Sequence, residues 1–272
     1  MAVLRILAVF VVFSGVLIAG SDGRGNGTRA VALSNACVAL TGDPWVVQRN
    51  PASLAGLDAM QVGMFYAPQL YGIKELRTLA AAAAIQVPVG GAGVSVEQFG
   101  FDLYREMFVT AGWGFDAAEG LSAGLGVSLQ SLSISHYGRG TRWAAGVGIL
   151  AKLAEELNLG ASVHNVASTT LGPQGDRLPT IFTTGVSWIP LRGLILTSEL
   201  EKDLLYPVSA RIGIEQVVWG VLALRGGIST DPDEVSAGFS VDVSGLEFGY
   251  AGFHHAELGW THQIDLVFRM EK

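Results

Sequence analysis

Several residue groupings in the sequence carry side chains that could do chemistry. His254, His255, Glu257 and His262 offer donors suited to a metal, but no two of them stand at a known ligand spacing. Gly146-x-Gly148-x-x-Ala151 followed by Lys152 imitates a dinucleotide-binding turn. Such a turn needs an acidic residue about twenty positions on. Residues 166–175 contain none, and Asp176 comes late. These glycines are better read as relieving a crowded wall. Serine–histidine pairs can be drawn around His136 and His164, yet nothing orders a nucleophile, a base and an orienting acid. No catalytic residue, metal site or cofactor is expected.

A row of charges is more informative. Glu199, Arg211, Glu215, Arg225, Asp242, Glu247, Asp265 and Arg269 recur on the polar side of successive C-terminal segments. These segments alternate with period two. Leu258, Trp260, His262, Ile264, Leu266, Phe268 and Met270 form one face of the last, opposite Gly259, Thr261, Gln263, Asp265 and Arg269. Val235, Ala237, Phe239, Val241 and Val243 oppose Ser236, Gly238, Ser240 and Asp242 in the same way. Trp143, Ala145, Val147, Ile149, Ala151 and Leu153 oppose small residues and Lys152.

Such strands have one greasy and one polar or small face. The pattern predicts strands near 60–67, 78–87, 91–98, 103–115, 121–135, 142–153, 157–166, 178–189, 194–202, 208–218, 222–229, 234–243, 246–253 and 258–270. Connections after even strands are short, as at Asp116–Gly120 and Ser244–Gly245. Those after odd strands tend to be longer: Pro68–Arg77, His136–Thr141, Ala167–Arg177, Asp203–Pro207 and His254–Glu257. Short turns at one end and longer loops at the other mark a membrane barrel.

Bulk properties agree. Half of the 272 residues are hydrophobic, and mean hydropathy is +0.41. Beyond residue 20 no apolar run is long enough for a membrane helix. In lipid every backbone N–H and C=O needs an internal partner, so strands must close into a cylinder. Trp113, Phe115, Trp143, Trp188, Tyr206, Trp219 and Trp260 fall near strand ends, as an interfacial girdle requires. The expected fold is an all-β, antiparallel transmembrane barrel of about fourteen strands with a small N-terminal plug.

The N-terminus reads as a cleaved signal over 1–21: Arg5, an apolar stretch from Ile6 to Ile18, then Ala19-Gly20-Ser21. Losing Arg5 takes the net charge from −7 to −8, and an acidic chain without a basic run argues against nucleic acid. Cys37 is the only cysteine, so no intramolecular disulfide forms, and it reads as a small buried residue.

Residues 22–58 form the expected plug, and 59–272 the barrel. Arg29 to Leu40 suits a short helix, Asp43-Pro44 a helix start, and Asn50-Pro51-Ala52 an extended turn. Trp45, Val46, Val47, Asn50 and Pro51 are expected inside the lumen, with Arg29 or Arg49 near a wall carboxylate. A charge facing lipid at mid-depth costs about 2–4 kcal/mol, so the wall charges should face the lumen too. The turns place Glu215 opposite Arg225 and Asp242 opposite Glu247. The latter like charges call for a protonated carboxyl or a cation between them.

The stretch Thr28-Arg29-Ala30 through Ala39-Leu40, Gly42-Asp43-Pro44-Trp45 and Arg49-Asn50-Pro51-Ala52-Ser53-Leu54-Ala55 resembles the plug of the FadL-like long-chain fatty-acid transporter superfamily, most closely its PorV/PorQ branch. Val163-His164-Asn165-Val166, Leu178-Pro179 before Thr184-Gly185-Val186, Leu222 through Gly227 and Leu258 through Leu266 are similar to the same branch. The chain departs from the pattern in its short loops and in ending Arg269-Met270-Glu271-Lys272 without a terminal aromatic. The resemblance implies a Gram-negative outer membrane, with its lipid as surroundings. It implies either passage of small hydrophobic molecules past the plug or a scaffold receiving secreted proteins in type IX secretion.

Overall fold

The computed structural model describes residues 26–168, 179–204 and 206–270. The expected signal at 1–21 and most of the expected loop Ala167–Arg177 lie outside the described residues. Fourteen antiparallel strands follow in order: β1 (Met60–Ala67), β2 (Thr78–Gln86), β3 (Gly91–Gly100), β4 (Tyr104–Ala118), β5 (Leu121–Ile134), β6 (Gly138–Ala154) and β7 (Leu157–Ser168). The second half contains β8 (Ile181–Leu191), β9 (Leu194–Asp203), β10 (Val208–Val218), β11 (Leu222–Ser229), β12 (Glu234–Val243), β13 (Leu246–His255) and β14 (Gly259–Met270). Each pairs with its neighbours in sequence, and β1 pairs with β14 from Met60↔Met270 to Tyr66↔Ile264, closing the cylinder. Closure removes the free edge that an open sheet would leave.

The alternation sets the two faces. Trp260, Ile264, Leu266, Phe268 and Met270 are exposed on the outside of β14, while Thr261, Gln263, Asp265 and Val267 are buried within. Val235, Phe239 and Val243 point out from β12, and Ser236 and Ser240 point in. Water would not tolerate an apolar surface of this extent, whereas hydrocarbon favours it. Among the described residues no helix is long and apolar enough to cross a membrane. Trp113, Trp143, Trp188, Tyr206, Trp219 and Trp260 are all exposed, and Trp113 stacks on the half-buried Phe115 with centroids 4.6 Å apart.

The connections differ from expectation at the loop end. Residues 101–103, 135–137 and 256–258 are as tight as turns at the opposite end, because the strands run further than the hydrophobic pattern indicates. β6 begins at Gly138, so the expected loop His136–Thr141 contracts to a turn with His136 in the left-handed region. His254 and His255 end β13 instead of occupying a loop. Residues 68–77 remain a long connection. At the other end Ser244 and Gly245 both have positive φ, the conformation a two-residue hairpin needs to match strand twist.

Candidate functional site: the lumen plug and the cavity above it

Residues 26–59 cross the barrel interior ahead of β1. Helix α1 covers only Thr28–Ala32, shorter than the expected Arg29–Leu40, because Ser34 and Asn35 turn into the left-handed region and end it. Helix α2 covers Val46–Arg49 and starts later than Asp43-Pro44 would place it. Asp43 instead accepts a hydrogen bond from Trp45 N at 2.8 Å, closing a turn ahead of the helix. Asn50 is extended, as a residue before proline must be, and its side chain caps the 3-10 turn Pro51–Gly56 by accepting from Ala52 N.

Trp45, Val46, Val47, Asn50, Pro51 and Ala52 are buried, as are Leu33, Leu54 and Cys37. Pro44 is among the fully buried side chains as well. Trp45 packs edge-on against Phe65 of β1. Burial pushes the Cys37 thiol up to about 12, so it stays protonated.

The 3-10 turn lies directly on the wall backbone. A Cβ at Gly114 would sit 2.4 Å from the Pro51 carbonyl oxygen, at Gly124 2.2 Å from Ala52 N, and at Gly148 2.0 Å from Asn50 Oδ1. Gly114 and Gly124 therefore make room for plug backbone, and Gly148 for the Asn50 amide. Asn50 Nδ2 donates to the carbonyls of Val38 and Ile149, linking plug to β6.

On the opposite side the plug meets charges. Arg29 pairs with Glu215 at 2.8 Å, and Arg49 lies 3.8 Å from Glu201. Burial opposes the Arg29 charge, but Glu215 outweighs it and holds the guanidinium above its ordinary basicity. Glu215 also takes Arg225 at 2.6 Å, directly across the β10–β11 ladder. Asp242 and Glu247 face each other across β12–β13, and the guanidinium of Arg269 bridges them. Arg225 completes the chain by reaching Glu247. The cation that two facing carboxylates need is thus an arginine from β14.

Two further anchors hold the plug. Glu199 accepts from the backbone N–H of both Cys37 and Val38, and Arg211 pairs with Glu199 and Glu201. Asp265 accepts from Thr28 N and from Thr28 Oγ1. Glu201 lies two residues after Glu199, so its shared face was readable from the alternation, and it joins the set beside Glu97, Glu106 and Thr28. Glu97 accepts from Asn26 Nδ2 at 2.6 Å, while Glu106 takes Tyr104 Oη and Gln130 Nε2.

The other candidates do not assemble. His254 and His262 point outward around Trp260, and Tyr250 Oη meets His262 Nδ1 at 2.6 Å. Among the described residues no group of three metal-ligating side chains converges. Ser162 Oγ lies 3.3 Å from His164 Nε2, but the same nitrogen lies 2.8 Å from the Arg49 carbonyl. A nitrogen donating its proton there has no lone pair left to activate a serine.

Above the plug, toward the longer connections, an open-mouthed cavity remains. Val31, Phe65, Leu70, Phe99 and Phe253 supply its apolar wall, with Asn26, Glu97, Glu234 and Gln263 among its polar groups. A smaller cavity lies within the plug beside Arg29, Cys37 and Arg49.

Solved structures share this arrangement of strands. The Pseudomonas putida toluene transporter TodX superposes with a TM-score of 0.67 at 13% identity, over 92% of this chain and 100% of that one. The two share a fold. The Ralstonia pickettii toluene transporter TbuX matches with a TM-score of 0.65 at 12% identity, over 92% of this chain and 98% of that one. A Pseudomonas aeruginosa FadL homologue matches with a TM-score of 0.62 at 11% identity, over 90% and 97%. No protein-family model and no curated protein matches the sequence. At such identities the likeness to these channels is one of fold.

Proposed function

We propose that the chain resides in the outer membrane of a Gram-negative cell and passes small hydrophobic molecules through its plugged barrel. The observation that carries this reading is the outer cavity, where three phenylalanines line a space that rests on the plug. A pocket that is largely apolar with a few placed polar groups is the usual form of a small-molecule site. The plug beneath is held by ion pairs and hydrogen bonds, which can be exchanged for other partners when it moves. The structures named toluene transporters share the fold, which supports the same substrate class here.

The test removes residues 28–56 and measures conductance in planar bilayers. The reading predicts a silent intact protein and an open pore after deletion. A deleted barrel that carries no current would remove the channel reading.

A further inference from the structure

The plug does not meet the wall in the same way all round. Glycine backbone seats it on β4 to β6, while ion pairs and hydrogen bonds tie it to β9, β10 and β14. Toward β1 and β2 it presents apolar side chains: Trp45 packs with Phe65, Ala80 and Ala82, and Val46 and Leu57 with Ala84. Cross-strand register sorts this part of the wall into rows. Phe65, Ala80 and Glu97 form one row, of which Phe65 and Glu97 line the outer cavity. Gly63, Ala82 and Ser95 form the next row toward the short turns, and Gln61, Ala84 and Gly93 the one after it. Directly beneath the cavity the wall thus carries only a hydrogen, a methyl and a hydroxymethyl group. The indole of Trp45 fills the space they leave.

That indole is seated without being hydrogen-bonded. A Cβ at Gly63 would lie 3.0 Å from its Cζ2, and one at Gly27 of the plug 2.4 Å from its Cδ1, so both positions leave room for the ring. Trp45 is 2% exposed, yet its Nε1 has no hydrogen-bond partner among the described residues. A buried indole N–H ordinarily finds an acceptor, and here no such bond opposes movement of the ring. Ser95 Oγ on the same row and Gln61 Oε1 on the next are buried and unpartnered as well. Trp45 also lines the smaller cavity within the plug, so side chains do not fill all the space around it. On the transport reading above, we infer that the passage through the plug runs down the inner wall of β1 to β3 and that Trp45 is its gate residue. The ring blocks the passage at the row of Gly63, Ala82 and Ser95 and clears it by rotating about its own side-chain bonds. The backbone of residue 45 stays fixed by its hydrogen bond to Asp43, and the rest of the plug stays anchored. Ser95 Oγ and Gln61 Oε1 are then the polar atoms that a passing molecule meets in turn.

The test compares two truncations of buried plug side chains in the full chain, Trp45→Ala and Leu33→Ala. Leu33 is fully buried on the other side of the plug, its Cδ2 2.9 Å from where a Cβ at Gly213 of β10 would lie. Planar-bilayer recordings should show a steady current for Trp45→Ala and none for Leu33→Ala. Trp45→Leu, which keeps an apolar side chain, takes the place of the alanine variant if that one does not assemble. Access is read separately from Ser95→Cys in a Cys37→Ala background, labelled with a small neutral methanethiosulfonate. Adding Trp45→Ala should speed that labelling at least about tenfold, and adding Leu33→Ala should leave it unchanged. Equal current in the two truncations, or labelling that Trp45→Ala does not speed, overturns the inference. Silence of both truncations while the deletion of residues 28–56 conducts overturns it alone and leaves the transport reading standing. Silence of the deletion as well overturns both.

Discussion

Arg29 of the plug and Glu215 of the wall form an ion pair of 2.8 Å, with side chains 17% and 5% exposed. This contact joins a segment near the N-terminus to a strand nearly two hundred residues later. It also makes the plug part of a charge chain that continues through Arg225, Glu247, Arg269 and Asp242. The plug is therefore tied ionically to β9 and β10, and through Thr28 to β14, while on β3 to β6 it rests on glycine backbone.

Arg29→Ala should loosen the plug more than the barrel. Breaking a buried ion pair by removing one partner costs about 3–5 kcal/mol, and the lower end applies here because Arg225 still satisfies Glu215. Urea unfolding in lipid vesicles should show a destabilised variant, and planar-bilayer recordings should show current bursts absent from the parent. Unchanged stability together with a silent bilayer trace would count against the anchor.

Gly148→Ala and Gly126→Ala form a matched pair. The first places a Cβ 2.0 Å from Asn50 Oδ1, the second meets nothing nearer than 3.8 Å. Gly148→Ala should therefore cost about 1–3 kcal/mol through overpacking and raise protease sensitivity within residues 46–56. Gly126→Ala should behave as the parent. Equal behaviour of the two would show that the 3-10 turn does not sit on the wall.

Cys37 should resist alkylation. Its thiol, pushed up to about 12 by burial, is neutral in the folded barrel at pH 8, and denaturation should release its reactivity toward a maleimide. The sign for stability follows from the raised value. The contribution is complete below the ordinary thiol value near 9.0 and is lost as pH rises from there toward about 12. Cys37→Ser should flatten that alkaline decline. Rapid maleimide labelling of the native protein would place Cys37 outside the lumen.

Leu266→Arg should cost about 2–4 kcal/mol in bilayers, the expense of a cation on the lipid face at mid-depth. Its neighbour Val267 is buried on the inner face, so Val267→Thr should fail through packing and show no dependence on bilayer thickness. Unfolding titrations in vesicles of two acyl-chain lengths separate these effects.

The barrel was legible because a strand's two faces repeat every two residues. β1, β10, β11 and β12 lie at the expected limits, and Glu215 stands opposite Arg225 as turn length implied. Arg269 could not be placed between Asp242 and Glu247, since it comes from a third strand whose register depends on closure of the ladder. The glycine seat was hidden for a related reason. Gly114, Gly124 and Gly148 are far apart in sequence and come together only beneath Pro51 and Ala52. The loops were misjudged at 136–141 and 254–257 because polar residues continue a strand once backbone pairing has begun.

The most direct test places nitroxides singly at positions 260 to 268 of β14, in a Cys37→Ala background, and measures collision with oxygen dissolved in the bilayer. Even-numbered positions should show high oxygen accessibility and odd-numbered positions low, alternating down the strand. A flat profile, or one with 261, 263, 265 and 267 facing the lipid, would contradict a cylinder whose apolar side faces outward.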